Sequence, residues 1–238
     1  MKEYDFNVNK KRFLKDFFTI LKIKSLSKDE LKLSLYVKNE LEKLGFKVAI
    51  DDCGKNFGGQ TGNLIATYIP KIVKNNLPIF LSAHLDTVRY EGNTLPEITD
   101  GKVINKNKKA VLGADDKAAI AAIIEAFKFI TENNIATGII HIIFSVGEEL
   151  SLFGSKYINL DLIDAEYGFV FDSDGDIGTV INRAPFHNRI NFKITGKASH
   201  AGGSPEKGIN SIKSAALAIT NIKSGRIDEE TTCNIGVI

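Results

Sequence analysis

Three apolar runs in this chain end directly in acidic residues, and that recurrence restricts the folds open to it. Ile79, Phe80 and Leu81 lead through Ser82 and Ala83 to His84 and Asp86. Gly138 to Val146 forms an apolar run that stops at Gly147-Glu148-Glu149, and Tyr167 to Phe171 stops at Asp172, with Asp174 two residues on. Unalternating runs of this kind are what strands covered on both faces require. Open α/β sheets built from such strands place ligands in the crevice outside the strands' carboxyl ends. On an extended strand end, His84 and Asp86 point to the same side, which is how a sheet edge presents a metal ligand with its orienting carboxylate.

A further acidic pair opens a helix. Val111-Leu-Gly-Ala-Asp115-Asp116-Lys117 precedes a mostly apolar stretch from Ala118 to Ile130, so the helix, and with it both acids, is expected to be buried. Acids at a helix start gain only about 0.3 to 1 kcal/mol from the helix dipole. Adjacent buried carboxylates cannot both ionise without cations nearby. One imidazole among many carboxylate oxygens suits two divalent cations that share a bridging carboxylate, an arrangement that activates a water and polarises a carbonyl. His141, in the middle of its run, is read as a core histidine, and His187 carries no assignment.

The remaining sequence supplies a frame for these motifs. Phe13, Phe17, Ile20 and Leu21 repeat at helical spacing between Asn9 and Ile23. Ser27 with Glu30 three residues on reads as the capping box of a second helix through Leu31, Leu35, Val37, Leu41 and Leu44, stopped by Gly45. Strands are expected at Phe46 to Asp51 and Asn63 to Ile69. The glycine-rich Cys53 to Gly62 between them is read as a turn, because it lacks both the P-loop and the dinucleotide-binding spacing. Arg89 to Lys109 is a loop with one short strand near Val103. Ile181 to Pro185 is read as a hinge, followed by a strand over Asn188 to Gly196, a turn carrying His200, and an amphipathic helix over Ile209 to Ile222.

Composition narrows the class of partner. The 238 residues, 43% hydrophobic, bury enough for one large or two small domains. The 31 basic and 29 acidic residues are interspersed, so neither nucleic acid nor a membrane surface is an expected partner. Cys53 and Cys233 have no metal-binding spacing, no signal-like segment follows Met1, and no apolar run approaches the ~20 residues of a membrane span. A cytoplasmic location is expected.

His84-Leu-Asp86, Gly113-Ala-Asp115-Asp116-Lys117, Gly147-Glu148-Glu149, Asp172 and Ala198-Ser-His200-Ala-Gly, in this order, closely resemble the M20 metallopeptidases, and among them the peptidase T-like, tripeptide aminopeptidase branch. The resemblance implies a zinc-exopeptidase-like α/β fold, a mixed sheet flanked by helices over residues 1–183. The start of a smaller α+β lid or dimerisation domain would follow over 184–238. It implies two zinc ions, with His84 and Asp172 on one, Glu149 on the other and Asp115 bridging both; Asp174 is the alternative to Asp172. Asp86 would orient the His84 imidazole, Glu148 would be the general base, and His200 would polarise the substrate carbonyl. A cis peptide between Asp115 and Asp116, a short peptide substrate and a homodimer through the lid are also implied. The related alternatives are an M20 amidohydrolase or carboxypeptidase acting on N-acyl amino acids or dipeptides, and an inactive metal-binding or dimerisation fragment. One departure stands out: family members continue past the position of Ile238 to a further histidine on the second metal. The chain is therefore expected to be a truncated form, with an incomplete second metal site and little activity of its own.

Overall fold

The computed structural model describes residues 8–70, 77–184 and 186–238. The chain enters through α1 (Lys10–Lys22), whose first turn is closed by the Asn9 side chain accepting the Arg12 amide. α2 (Leu31–Lys43) follows. Phe17, Ile20 and Leu21 from α1 and Val37 and Leu41 from α2 are buried as their spacing predicts, whereas Leu31 and Leu35 are exposed and Leu33 takes the inward place. The expected capping box does not form. Glu30 occupies the N-cap position without a side-chain cap, and Ser27 lies outside the helix.

β1 (Lys47–Ile50) and β2 (Leu64–Tyr68) form an antiparallel pair around the glycine-rich segment, which contains a short 3-10 turn at Cys53–Asn56. β3 (Ile79–His84) comes next. β4 (Pro96–Thr99) and β5 (Lys102–Asn105) then make a separate hairpin within the polar loop, one strand more than the sequence suggests. α3 (Ala114–Glu132), β6 (Ile140–Ser145), the one-turn α4 (Phe153–Lys156) and β7 (Tyr167–Val170) complete the first half. The five-stranded sheet runs in the order β1-β2-β6-β3-β7. β3 is parallel to both β6 and β7, whereas β2 is antiparallel to β6. The carboxyl ends of β6, β3 and β7 therefore lie along one edge, with the start of β2 beside them, since Leu64 pairs with Phe144 and His84 with Ser145.

β6 is buried along Ile140 to Phe144, as a central strand needs. Ile120, Ile124 and Phe127 of α3 are buried, each worth roughly 1.5 to 3 kcal/mol of apolar transfer. The Phe127 ring meets Phe46 edge-on at 4.7 Å and Tyr68 at 5.2 Å. α1 is tied to α3 by Arg12, which holds Glu125 at 2.7 Å and also pairs with Glu132, and by Lys128 on Asp16 at 2.7 Å.

Residues divide into two compact units, Met1–Gly175 and Asp176–Ile238. The hinge expected at Ile181 to Pro185 ends on a residue outside those described, and residues 181–184 have no regular structure. The second unit contains α5 (Ser211–Thr220) and the short antiparallel pair β8 (Gly225–Arg226) with β9 (Thr232–Cys233). Asn188 to Gly196 is not a strand. Its alternation is strand-like, but among the described residues no second segment pairs along it, and strand structure exists only through pairing. A single bridge from Lys197 to Ile209 follows it. No helix among the described residues is long and apolar enough to cross a membrane.

Candidate metal centre

His84 is the last residue of β3 and is 2% exposed. Its Nε2 lies 2.9 Å from Asp115 Oδ1, and its Nδ1 lies 3.5 Å from Asp86 Oδ1. The imidazole is thus flanked by one carboxylate on each nitrogen. Burial alone would lower its pKa, but Asp86 and Asp115 outweigh burial and push it up to about 10.

Asp86 is fully buried, and its oxygens accept three hydrogen bonds. Oδ1 accepts the Glu148 amide at 2.9 Å, and Oδ2 accepts the Ser27 hydroxyl at 2.6 Å and the Glu149 amide at 3.2 Å. Burial would raise its pKa, yet these donors and His84 hold it below the usual carboxylate range. Asp86 therefore fixes the backbone of the paired glutamates, with His84 Nδ1 beside it at ion-pair distance but without a hydrogen bond.

Gly113, with φ 70°, turns the chain into α3, and the peptide bond between Asp115 and Asp116 is cis, as the resemblance implies. The two acids are displayed differently. Asp116 is buried and accepts the His84 amide at 3.2 Å, and burial pushes it up to about 8. Asp115 was expected to be buried too, but its side chain is 73% exposed. Neither residue has helical φ and ψ, so the regular helix, and the burial that its apolar pattern predicts, begins only after them. Lys117 is fully buried, and its ammonium donates to the Ile23 carbonyl at 2.6 Å.

β6 exits through Gly147, at φ 61°, into the turn Glu148–Leu150. A Cβ on Gly147 would sit 3.2 Å from the Phe57 ring, which stacks on Phe153. Asn63, at the start of β2, accepts the Val146 amide and donates to the Gly154 carbonyl, so the turn is held from behind. From the front it is held by Glu30, which is fully buried and accepts the Gly147 amide at 3.0 Å. Asp172 follows β7 and is exposed.

Ligand atoms of His84, Glu148 and Glu149 lie within 4.8 Å of one another, and so do those of His84, Asp115 and Asp172. The two sets share His84. Asp172 rather than Asp174 enters them, and Asp86 is withdrawn into its own hydrogen bonds. Glu148, Glu149 and Asp172 are all raised above the usual range, first by partial desolvation, although Glu149 and Asp172 still reach the surface, and then by neighbouring carboxylates; in each case the charge opposing the rise is on His84. A crowd of mutually repelling oxygens around one imidazole fits divalent cations, which would supply the missing positive charge. His141, by contrast, is buried with Nδ1 against Thr67 Oγ1 at 3.1 Å, as expected of a core residue. His200 lies in the second unit, where its Nδ1 accepts the amides of Gly202 and Gly203 at 3.2 and 2.9 Å.

Ser27, Glu30 and Asn63 touch this centre without having been read as site residues in the sequence. The Ser27–Glu30 pair did carry a signal, its S-x-x-E spacing, but that spacing reads equally well as a helix cap.

A mixed α/β sheet with acids and an imidazole gathered at the carboxyl ends of its parallel strands defines the class of α/β proteins with a candidate metal centre at the sheet edge. The family model described as Peptidase family M28 matches residues 63–188, more than half of the chain, and the chain belongs to that peptidase family. A second model, described as Peptidase dimerisation domain, matches residues 187–238, and the two matches together make the chain similar to M20-type, peptidase T-like proteins. The chain is 41% identical to Bacillus subtilis (strain 168) protein YqjE over 96% of its own length and 61% of that protein. Among solved structures it is similar to aminopeptidase PepT from Bacillus cereus ATCC 10987, with a TM-score of 0.80 and 35% identity over 97% of this chain and 61% of that one. A tripeptidase from Staphylococcus aureus subsp. aureus Mu50 gives a TM-score of 0.83 at 32% identity with the same coverage. The chain thus spans about three-fifths of the length of these relatives.

Proposed function

We propose that this chain carries the metal centre of a di-zinc aminopeptidase acting on short peptides, of the tripeptide type. The observation that supports it most is the convergence of His84, Asp115, Glu148, Glu149 and Asp172 into two ligand sets that share His84; Asp115, the proposed bridge, falls in the set with Asp172 and not in the one with Glu149. His84 and Asp172 would hold one zinc, Glu149 the other, and Asp115 would bridge them. Bound there, the ions would supply Lewis acidity and lower the pKa of water at neutral pH.

The protein's own groups do the rest. Asp86 holds the imidazole through its Nδ1 side and leaves Nε2 toward the ligand oxygens. Glu148, raised above the usual carboxylate range by burial, takes a proton from the attacking water and passes it to the leaving amine. His200 accepts two amides on Nδ1, so in its neutral form Nε2 carries the hydrogen, the donor suited to a substrate carbonyl as its oxygen gains charge. Residues 187–238, which match the dimerisation domain, would pair two copies of the protein.

The second metal has no imidazole of its own in this set, so zinc titration of the metal-free chain is expected to show one tight and one weaker equivalent. Hydrolysis of a tripeptide with a free amino end should follow the weaker one, and N-acetylation of the substrate should abolish it. Glu148→Ala should lose at least ~100-fold in kcat. Full activity in that variant would overturn the reading.

A further inference from the structure

The connector between α1 and α2 touches three of the four elements that carry the ligand set, all but β7. Ile23 takes the Lys117 ammonium from the start of α3 at 2.6 Å. Ser25 donates its hydroxyl to the Leu85 carbonyl at 2.8 Å and accepts the Thr87 amide at 2.9 Å, on either side of Asp86. Ser27 donates to Asp86 Oδ2 at 2.6 Å, and Glu30 receives the Gly147 amide at 3.0 Å, at the exit of β6.

Glu30 is an unusual choice for an ordinary structural contact. It is fully buried; one oxygen accepts the Gly147 amide at 3.0 Å, the amides of Lys28 and of Glu30 itself also face the carboxyl, and the other oxygen has no hydrogen-bond partner. An uncharged acceptor would satisfy the Gly147 amide at lower desolvation cost, and an unsatisfied buried polar atom calls for an explanation beyond packing. Two features beside it supply one. The Gly147 amide directly precedes Glu148, and the next two amides, of Glu148 and Glu149, are held by Asp86, whose second oxygen is anchored by Ser27. Three successive amides of the glutamate turn are therefore fixed by two buried carboxylates, and the connector supplies one of these and steadies the other.

We propose that Ser27 and Glu30 are positioning residues that set the glutamate turn, and thereby the affinity of the site for its cation and the aim of Glu148. The inference rests on the proposed metal centre. Its logic is geometric: without the Ser27 hydroxyl, Asp86 Oδ2 is free to leave the Glu149 amide, and without Glu30 the Gly147 amide loses its partner. Either change lets Glu149 and Glu148 drift relative to His84. Partners of metal ligands typically contribute 10- to 100-fold in metal affinity or activity, and that is the effect expected here.

Co2+ is the probe, titrated into the metal-free chain and followed by its visible absorption, with peptide hydrolysis measured alongside. Ser27→Ala and Glu30→Ala are expected to weaken Co2+ by ~10- to 100-fold, to alter the absorption bands, and to lower kcat while KM stays within about two-fold. Ser27→Thr and Glu30→Gln, which keep the hydroxyl and the acceptor, should recover most of the loss. Co2+ affinity and bands unchanged in the alanine variants would overturn the proposal, whatever their thermal stability. Should Glu30→Ala fail to fold, Ser27→Ala decides the same point, since it removes one oxygen from a partly exposed site. No Co2+ binding by the unsubstituted chain would instead overturn the metal centre itself, and the positioning role with it.

Discussion

Glu30 also makes the fold sensitive to pH. Burial pushes its carboxyl from the ordinary 4.5 up to about 7, with the Asp86 charge adding to the rise. A folded-state pKa above the unfolded one means that the native state binds the proton more tightly. The associated stability is therefore complete below pH 4.5 and is lost as pH rises through about 7. Replacing Glu30 with Gln removes this titration. Urea unfolding at pH 5 and pH 8 should show wild type losing more stability than Glu30→Gln across that interval, and equal slopes would contradict the assignment. At the same scale, Asp86 behaves in the opposite sense. Its donors hold it low, so its contribution is present at neutral pH and is lost on acidification.

Among the elements, the exit of β6 tolerates little at Gly147. Gly147 is at φ 61°, and a methyl group there would meet the Phe57 ring at 3.2 Å. Gly147→Ala is expected to destabilise the chain by about 1 to 3 kcal/mol, from the left-handed backbone and the crowded ring together. It should also weaken Co2+ by at least ten-fold, and a melting temperature and titration equal to wild type would refute both. The strands and their terminal acids were legible in the sequence because each is a local signal: an apolar run predicts a covered strand, and the residue after it marks the strand end. Ser27 and Glu30 were misread as a cap because their partners, Asp86 and Gly147, lie 59 and 117 residues away. Asp115 was expected to be buried because the apolar pattern after it was extended back through a turn that is not helical. The strand expected at Asn188 to Gly196 failed for the same reason as the cap, since pairing is a property of two segments and the alternation reports only one.

At the scale of the molecule, the candidate ligands found among the described residues lie in the first compact unit, while the second carries α5 and the residues that match a dimerisation domain. The contacts that complete the centre span most of the first unit's length. Ser27 reaches Asp86 across 59 residues, Lys117 reaches Ile23 across 94, and Glu30 reaches Gly147 across 117. Closing loops of that size costs entropy that only the finished contacts repay, and parallel pairing such as β3 with β6 is intrinsically slow. The connector between the first two helices therefore gives the chain a built-in order of assembly: secondary structure and collapse come early, and cation competence comes with the last docking event. In refolding from urea with Co2+ present, the visible bands should appear with the slowest phase, well after the far-ultraviolet circular dichroism signal. Bands that rise together with the earliest helical signal would mean that the ligands find one another without the connector.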